Sequence, residues 1–161
     1  MKGRALPWQE RLESYIVKGH PDECWSWSGG HTRAAREGQR YAVFTYRNKT
    51  VGAHRAVYEK YFGKPAPGME IDHQCCNPSC VNPSHLKAVT RGENLQNKPA
   101  YSNSKTGVRG VSPHCEGGYV VHVSQAGKNV YGGRYDTVEE AERAAIALRN
   151  KLYTNNVQDR K

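Results

Sequence analysis

Between residues 119 and 125 apolar and polar side chains alternate: Tyr119, Val121 and Val123 share one face, and Val120, His122 and Ser124 share the other. A period of two is the mark of a half-buried strand. Gly117-Gly118 before it and Ala126-Gly127-Lys128 after it supply turns, so residues 109–112 and 129–135 are read as its neighbours in a small sheet. The period then becomes helical. Ala141, Ala144, Ala145, Leu148 and Leu152 fall on one narrow stripe, and Thr137 stands ahead of Glu140 as a capping box, which predicts a helix running to about Tyr153. A sheet of three strands with one helix packed on it is the economical arrangement for this half.

Upstream the pattern is less regular. Residues 24–27 and 41–46 read as strands, and 53–62 as a helix stopped by Gly63 and Pro65. Residues 69–73 and 86–89 predict two further strands on either side of a loop dense in Cys, Asn, Pro and Ser. Thr90 with Glu93 forms a second capping box, which puts Asn94 in the first turn of another helix. The polar stretch 96–106 holds Pro99 and no apolar period, so it reads as a break between two halves. The expectation is an α+β chain with a first domain over 1–98, a linker over 99–106, a second domain over 107–155 and a tail over 156–161.

Charge adds a partner to this outline. The 161 residues carry 24 Lys and Arg against 15 Asp and Glu, a net charge of +9. The excess is spread, +6 over residues 1–100 and +3 over 101–161, so both halves are suited to a polyanion. No apolar run approaches the roughly 20 residues of a membrane-spanning helix. The first nine residues hold Lys2 and Arg4 but no apolar segment or small-residue cleavage site, so a secretory signal is not expected and a cytoplasmic setting is.

In such a reducing compartment, clustered cysteines point to metal rather than disulfides. Cys75, Cys80 and His85 are separated by four residues each time, within a loop that has almost nothing apolar to hold it. Thiolate and imidazole donors at this spacing suit a tetrahedral structural zinc, whose binding supplies the missing folding free energy. Cys24 is the expected fourth ligand and Cys76 the competitor, although adjacent residues in an extended loop point apart. Cys115 reads as a free thiol.

Asp72 and His73 end the strand before this loop, and Asn94 opens the helix after the next strand. One carboxylate and one amide oxygen are hard donors suited to Mg2+ or Mn2+. His73 points to the other side of the strand from Asp72 and is placed to take a proton from water. With one metal, that is the minimum set for hydrolysing a phosphodiester.

These residues carry a resemblance. His54-Arg55, Ile71-Asp72-His73, Cys75, Asn77-Pro78, Cys80-Val81-Asn82-Pro83, His85-Leu86, Thr90 and Glu93-Asn94 resemble the HNH homing endonucleases, in particular zinc-containing members related to the His-Cys box that are common in phages and mobile introns. The resemblance covers about residues 24–97 and implies a ββα-metal nuclease domain with a structural zinc. It implies His73 as general base, Asn94 as metal ligand with Asp72 the second, and Arg55 at the scissile phosphate or leaving group. The products implied are 5′-phosphate and 3′-hydroxyl ends in double-stranded DNA. A monomer or a homodimer is expected, in the cytoplasm of a bacterial host and encoded by a phage or an intron.

Residues 106–153 resemble the DNA-binding domain of plant ethylene-response factors, on the landmarks Gly107-Val108-Arg109-Gly110-Val111 and Tyr135-Asp136-Thr137-Val138-Glu139-Glu140-Ala141. In that family the exposed sheet face enters the major groove. The alternation above puts His122 and Ser124 on that face, and matched position adds Arg109, Ser112, His114 and Tyr131. Ser112, His114, Glu116 and Ser124 stand where the plant domains use Arg or Trp, so weaker guanine readout and modest specificity are expected. The leading expectation is a metal-dependent DNA endonuclease. The alternatives are a non-catalytic DNA-binding regulator on the same zinc-stabilised fold and an RNA-binding zinc protein, the latter needing aromatic stacking platforms of which only Tyr119, Tyr131 and Tyr135 are available.

Overall fold

The computed structural model describes residues 6–33, 40–101 and 103–160. Residues 1–5, with the Lys2 and Arg4 of the signal-peptide argument, lie outside the described residues, as do Ser102 in the expected linker and Lys161 in the expected tail. The chain forms two compact units, residues 1–90 and 91–161.

The first unit begins with a short helix α1 (Trp8–Glu13), whose Leu12 is fully buried. Strands β1 (Ile16–Val17) and β2 (Ser26–Trp27) pair antiparallel. Strands β3 (Val43–Tyr46) and β4 (Lys49–Gly52) form a hairpin whose two turn residues, Arg47 and Asn48, both take positive φ, as a tight two-residue connection requires. Helix α2 (Ala53–Phe62) follows β4 without a break, buries Ala53, Ala56 and Val57, and stops at Gly63 with φ 84°. Strand β5 (Glu70–His73) pairs antiparallel with β6 (Leu86–Val89), with Asp72 opposite Lys87 and His73 opposite Leu86. Between them the Cys-rich loop ends in a 3-10 turn at Pro83–His85. Leu12, Trp27, Phe44, Val57, Ile71, Val81 and Leu86 form the core.

The second unit opens with helix α3 (Arg91–Gln96). Strands β7 (Val111–Pro113), β8 (Tyr119–Gln125) and β9 (Lys128–Tyr135) make a three-stranded antiparallel sheet in the order β7-β8-β9. Ala126 (φ 50°) and Gly127 (φ 77°) close the β8-β9 hairpin. Helix α4 (Val138–Leu152) is capped by Thr137, whose hydroxyl accepts from the Glu140 amide at 3.3 Å. Val111, Val121, Val123, Ala141, Ala145 and Tyr153 are its core, with Leu148, Leu152, Tyr119 and Tyr135 packed around them.

Polar bonds extend this core to the chain after α4. The Gln96 side-chain oxygen accepts from the amides of Thr154 and Asn155, and Asn155 Nδ2 donates to Glu93 O at 3.2 Å. Asn97 Oδ1 accepts from Gln158 N at 3.2 Å. Arg149, only 3% exposed, grips the Asp159 carboxylate through Nε and Nη2 and also donates to Arg109 O. Residues 91–97, which the sequence pattern groups with the first domain, are therefore held by residues 153–159.

Candidate functional site

Four thiol and imidazole donors gather from three places in the first unit: the loop before β2, the loop after β5 and the 3-10 turn before β6. The ligand atoms of Cys24, Cys75, Cys80 and His85 all lie within 4.8 Å of one another. His85 Nδ1 is 3.8 Å from Cys24 Sγ and 3.6 Å from Cys80 Sγ. Zn–S bonds near 2.3 Å give a tetrahedron with edges of about 3.8 Å, so the spacing and the soft donors both fit zinc. Cys76, the competitor, sits at φ 60° and is not in the cluster. The Cys75 thiol, hydrogen-bonded to Cys80 and partly buried, is pushed up, while that same bond holds Cys80 down. The Asn82 amide adds a 3.4 Å contact to Cys80 Sγ.

Asn82 ties the distant Cys24 segment to this loop. Its side chain is 1% exposed; Nδ2 donates to Pro21 O and Glu23 O, both at 2.7 Å, and Oδ1 accepts from Ser84 N and Ser84 Oγ. Val81 N donates to Trp25 O at 3.1 Å. The Val-Asn-Pro run thus works as a clamp, a role that its turn-like composition does not disclose.

Next to the metal cluster, β5 presents Asp72 and His73, each 8% exposed. Asp72 Oδ2 accepts from Gln74 Nε2 at 2.9 Å. His73 Nε2 lies 3.2 Å from Cys80 O. A carbonyl can only accept, so Nε2 carries the proton and Nδ1 keeps the lone pair. Burial lowers the His73 pKa against the opposing pull of the Cys80 carbonyl and the Asp72 charge. Arg55 is exposed on α2 and lines a cleft of about 560 Å³ with Tyr46, Thr50, Val51, Gly52, Glu59, Lys64 and Pro65. Asn94 is half-buried on α3, in the second unit.

On the sheet of the second unit, Ser112, His122, Ser124 and Tyr131 are exposed, and the His122 and Tyr131 rings lie 5.5 Å apart. His114 is half-buried, and its Nδ1 accepts from Glu116 N. Arg109 is engaged elsewhere: its Nη1 donates to Gln96 O and Lys98 O, both at 2.7 Å, and its guanidinium lies over the Tyr153 ring. That guanidinium finishes the end of α3, where carbonyls lack partners.

Residues 51–96 match the HNH endonuclease family. The HNH segment runs from β4 to the end of α3 and includes Arg55, Asp72, His73, Cys75, Cys80, His85 and Asn94, while Cys24 lies upstream of it. HNH nucleases are metal-dependent and act on DNA. Protein 7.7 of Escherichia phage T7 is 31% identical over 75 residues, 47% of this chain and 54% of that protein. The uncharacterized gene 5.3 protein of Enterobacteria phage T3 is 34% identical over 59 residues, 35% of this chain and 58% of that protein. The chain thus spans little more than half the length of these relatives. No solved structure matches it. No helix among the described residues is long and apolar enough to cross a membrane.

Proposed function

We propose that this protein is a metal-dependent DNA endonuclease of the homing type, working in the cytoplasm of a phage-infected bacterium and hydrolysing double-stranded DNA to 5′-phosphate and 3′-hydroxyl ends. The observation that carries the reading is the placement of His73: buried, next to Asp72 on β5, and tied through Nε2 to the Cys80 carbonyl, so that Nδ1 carries the lone pair. Nδ1 takes a proton from water, whose oxygen attacks phosphorus as the bond to the 3′ oxygen breaks. Asp72 and Asn94 would hold Mg2+ or Mn2+, and their hard oxygen donors suit such an ion, which when bound stabilises charge on the phosphate and the leaving oxygen. Arg55, exposed at the rim of its cleft, contacts the scissile phosphate or the leaving group. Cys24, Cys75, Cys80 and His85 would hold a structural zinc, which when bound would fix the Cys80 segment, whose carbonyl orients His73.

The three-stranded sheet is the DNA-reading surface, similar to that of ethylene-response factors. Ser112, His122, Ser124 and Tyr131 offer hydrogen bonds to base edges or phosphates, with His114 at the strand end. Arg109 serves that surface from beneath, through its bonds to α3 and its stacking on Tyr153. With one catalytic set per chain, a monomer nicks and a homodimer cuts both strands.

The test is supercoiled plasmid incubated with the protein in magnesium or in EDTA, beside His73→Ala. Magnesium-dependent conversion to nicked or linear DNA, lost in the variant, is expected. Equal conversion by His73→Ala removes His73 from the mechanism. DNA binding without conversion, on plasmids carrying intron-insertion sequences, replaces the nuclease by a non-catalytic DNA-binding regulator.

A further inference from the structure

We propose that His54 is the positioning residue of the HNH segment, its ring packing against the His73 imidazole and fixing its orientation together with the Cys80 carbonyl; this rests on the nuclease reading of His73. The two rings are in contact, with centroids 4.7 Å apart and planes tilted by 56°. A histidine pinned only through one nitrogen can still swing about that bond. A second ring against it removes this freedom, and base catalysis depends on the direction of the remaining lone pair.

The fold reserves space for this contact. The His54 ring folds back over Gly52, the last residue of β4: a Cβ on Gly52 would meet His54 Cε1 at 2.5 Å and Nδ1 at 2.9 Å. Gly52 has φ −59°, so glycine is needed there for clearance and not for backbone conformation. The backbone beneath is anchored as well, since Ala53 N donates to Ala42 O at 2.8 Å. Tyr41 stands 6.3 Å from the His54 ring.

The residue type also departs from what packing alone selects. His54 Nδ1 is buried with no hydrogen-bond partner among the described residues, where a phenylalanine or leucine would leave no polar atom stranded. Burial first, then the neighbouring His73 and Arg55, hold the His54 pKa down at about 3. The ring therefore lies against the base without carrying a charge beside it.

Three variants and two readouts test the proposal. His54→Ala and Gly52→Ala, the latter by displacing the ring, are each expected to lower kcat by about tenfold or more with KM for plasmid DNA and zinc content unchanged. His54→Phe keeps the ring and is expected to restore most of the loss. By 15N NMR, His73 is expected to be a single Nε2–H tautomer in wild type and His54→Phe and a mixture in His54→Ala. An active wild type with His54→Ala at the same kcat overturns the proposal and leaves the nuclease reading standing. A loss that tracks zinc release or melting, or that Phe does not restore, reduces His54 to a packing residue and overturns it too. If no DNA is cut by wild type, the nuclease reading falls, and the tautomer measurement alone decides: an unchanged His73 signal in His54→Ala overturns the positioning.

Discussion

Asn82→Ala removes four hydrogen bonds: two from Nδ2 to Pro21 O and Glu23 O, which join the metal loop to the segment bearing Cys24, and two accepted by Oδ1 from Ser84 within the loop. Ser84 Oγ keeps a second acceptor in Pro21 O, so its contribution survives in part. At roughly 1 kcal/mol net for each bond, with buried backbone groups left unpaired, the expected loss is about 3 kcal/mol. For a unit of this size that lowers the melting temperature by about 12–24 °C. All three tryptophans, Trp8, Trp25 and Trp27, lie in the first unit, so their fluorescence reports its unfolding separately from the second. Urea titrations at fixed free zinc give the difference directly. Asn82→Asp is the internal control. It keeps the oxygen facing Ser84 but turns a carboxylate oxygen towards two carbonyls, so it is expected to be at least as destabilised as alanine. A change below about 1 kcal/mol in Asn82→Ala, or an aspartate variant close to wild type, refutes the clamp.

Two other expectations concern the first unit. Cys80→Ser removes one of the four zinc donors, and metal analysis with a melting curve should show loss of zinc and a destabilised fold; retention of one zinc per chain contradicts the assignment. Glu13 is raised by burial, but hydrogen bonds from Lys60, Tyr61 and Lys18 outweigh this and bring its pKa down to about 2, below the ordinary 4.5. A depressed carboxyl stabilises the fold above its unfolded pKa and loses that contribution as pH falls from about 4.5 towards 2. The stability gap between wild type and Glu13→Gln, on the order of 1 kcal/mol at pH 7 after screening, should shrink by pH 3; a gap constant over pH 3–7 contradicts the linkage.

What could be read from the sequence follows the range of the forces involved. Helix α2 and strand β6 have the bounds their local pattern predicts, and α4 ends within a residue of its predicted end, because a side-chain period and a cap are written into consecutive residues. Cys24 joins Cys75, Cys80 and His85 as expected, since soft donors left over in a basic chain have few other uses. Strand β4 was hidden because Arg47-Asn48 is a weak turn signal and the strand runs directly into α2. Helix α1 is too short to show a period. Residues 96–98 look like linker because they are polar, yet Gln96 and Asn97 bond to residues 154–158, and the Lys98 carbonyl accepts from Arg109. Arg109 likewise reads as a DNA contact from its position in the motif, while its carbonyl acceptors lie about a dozen residues upstream. His54-Arg55 stands out as a pair, but the contact of His54 with His73 joins two elements and leaves no local trace.

The clamp on α3 also has a consequence in time. A helix of six residues is too short to persist by itself, and the groups that hold this one come from Arg109 and from residues 153–159. During synthesis at about 5–20 residues per second, roughly 3–12 s separate the emergence of Asn94 from that of its helix's partners. Over that interval the zinc loop and His73 can fold on the ribosome while Asn94 has no ordered helix to sit on. The nascent chain passes through a stage at which the HNH segment is complete in sequence while its last helix still waits for the residues that hold it.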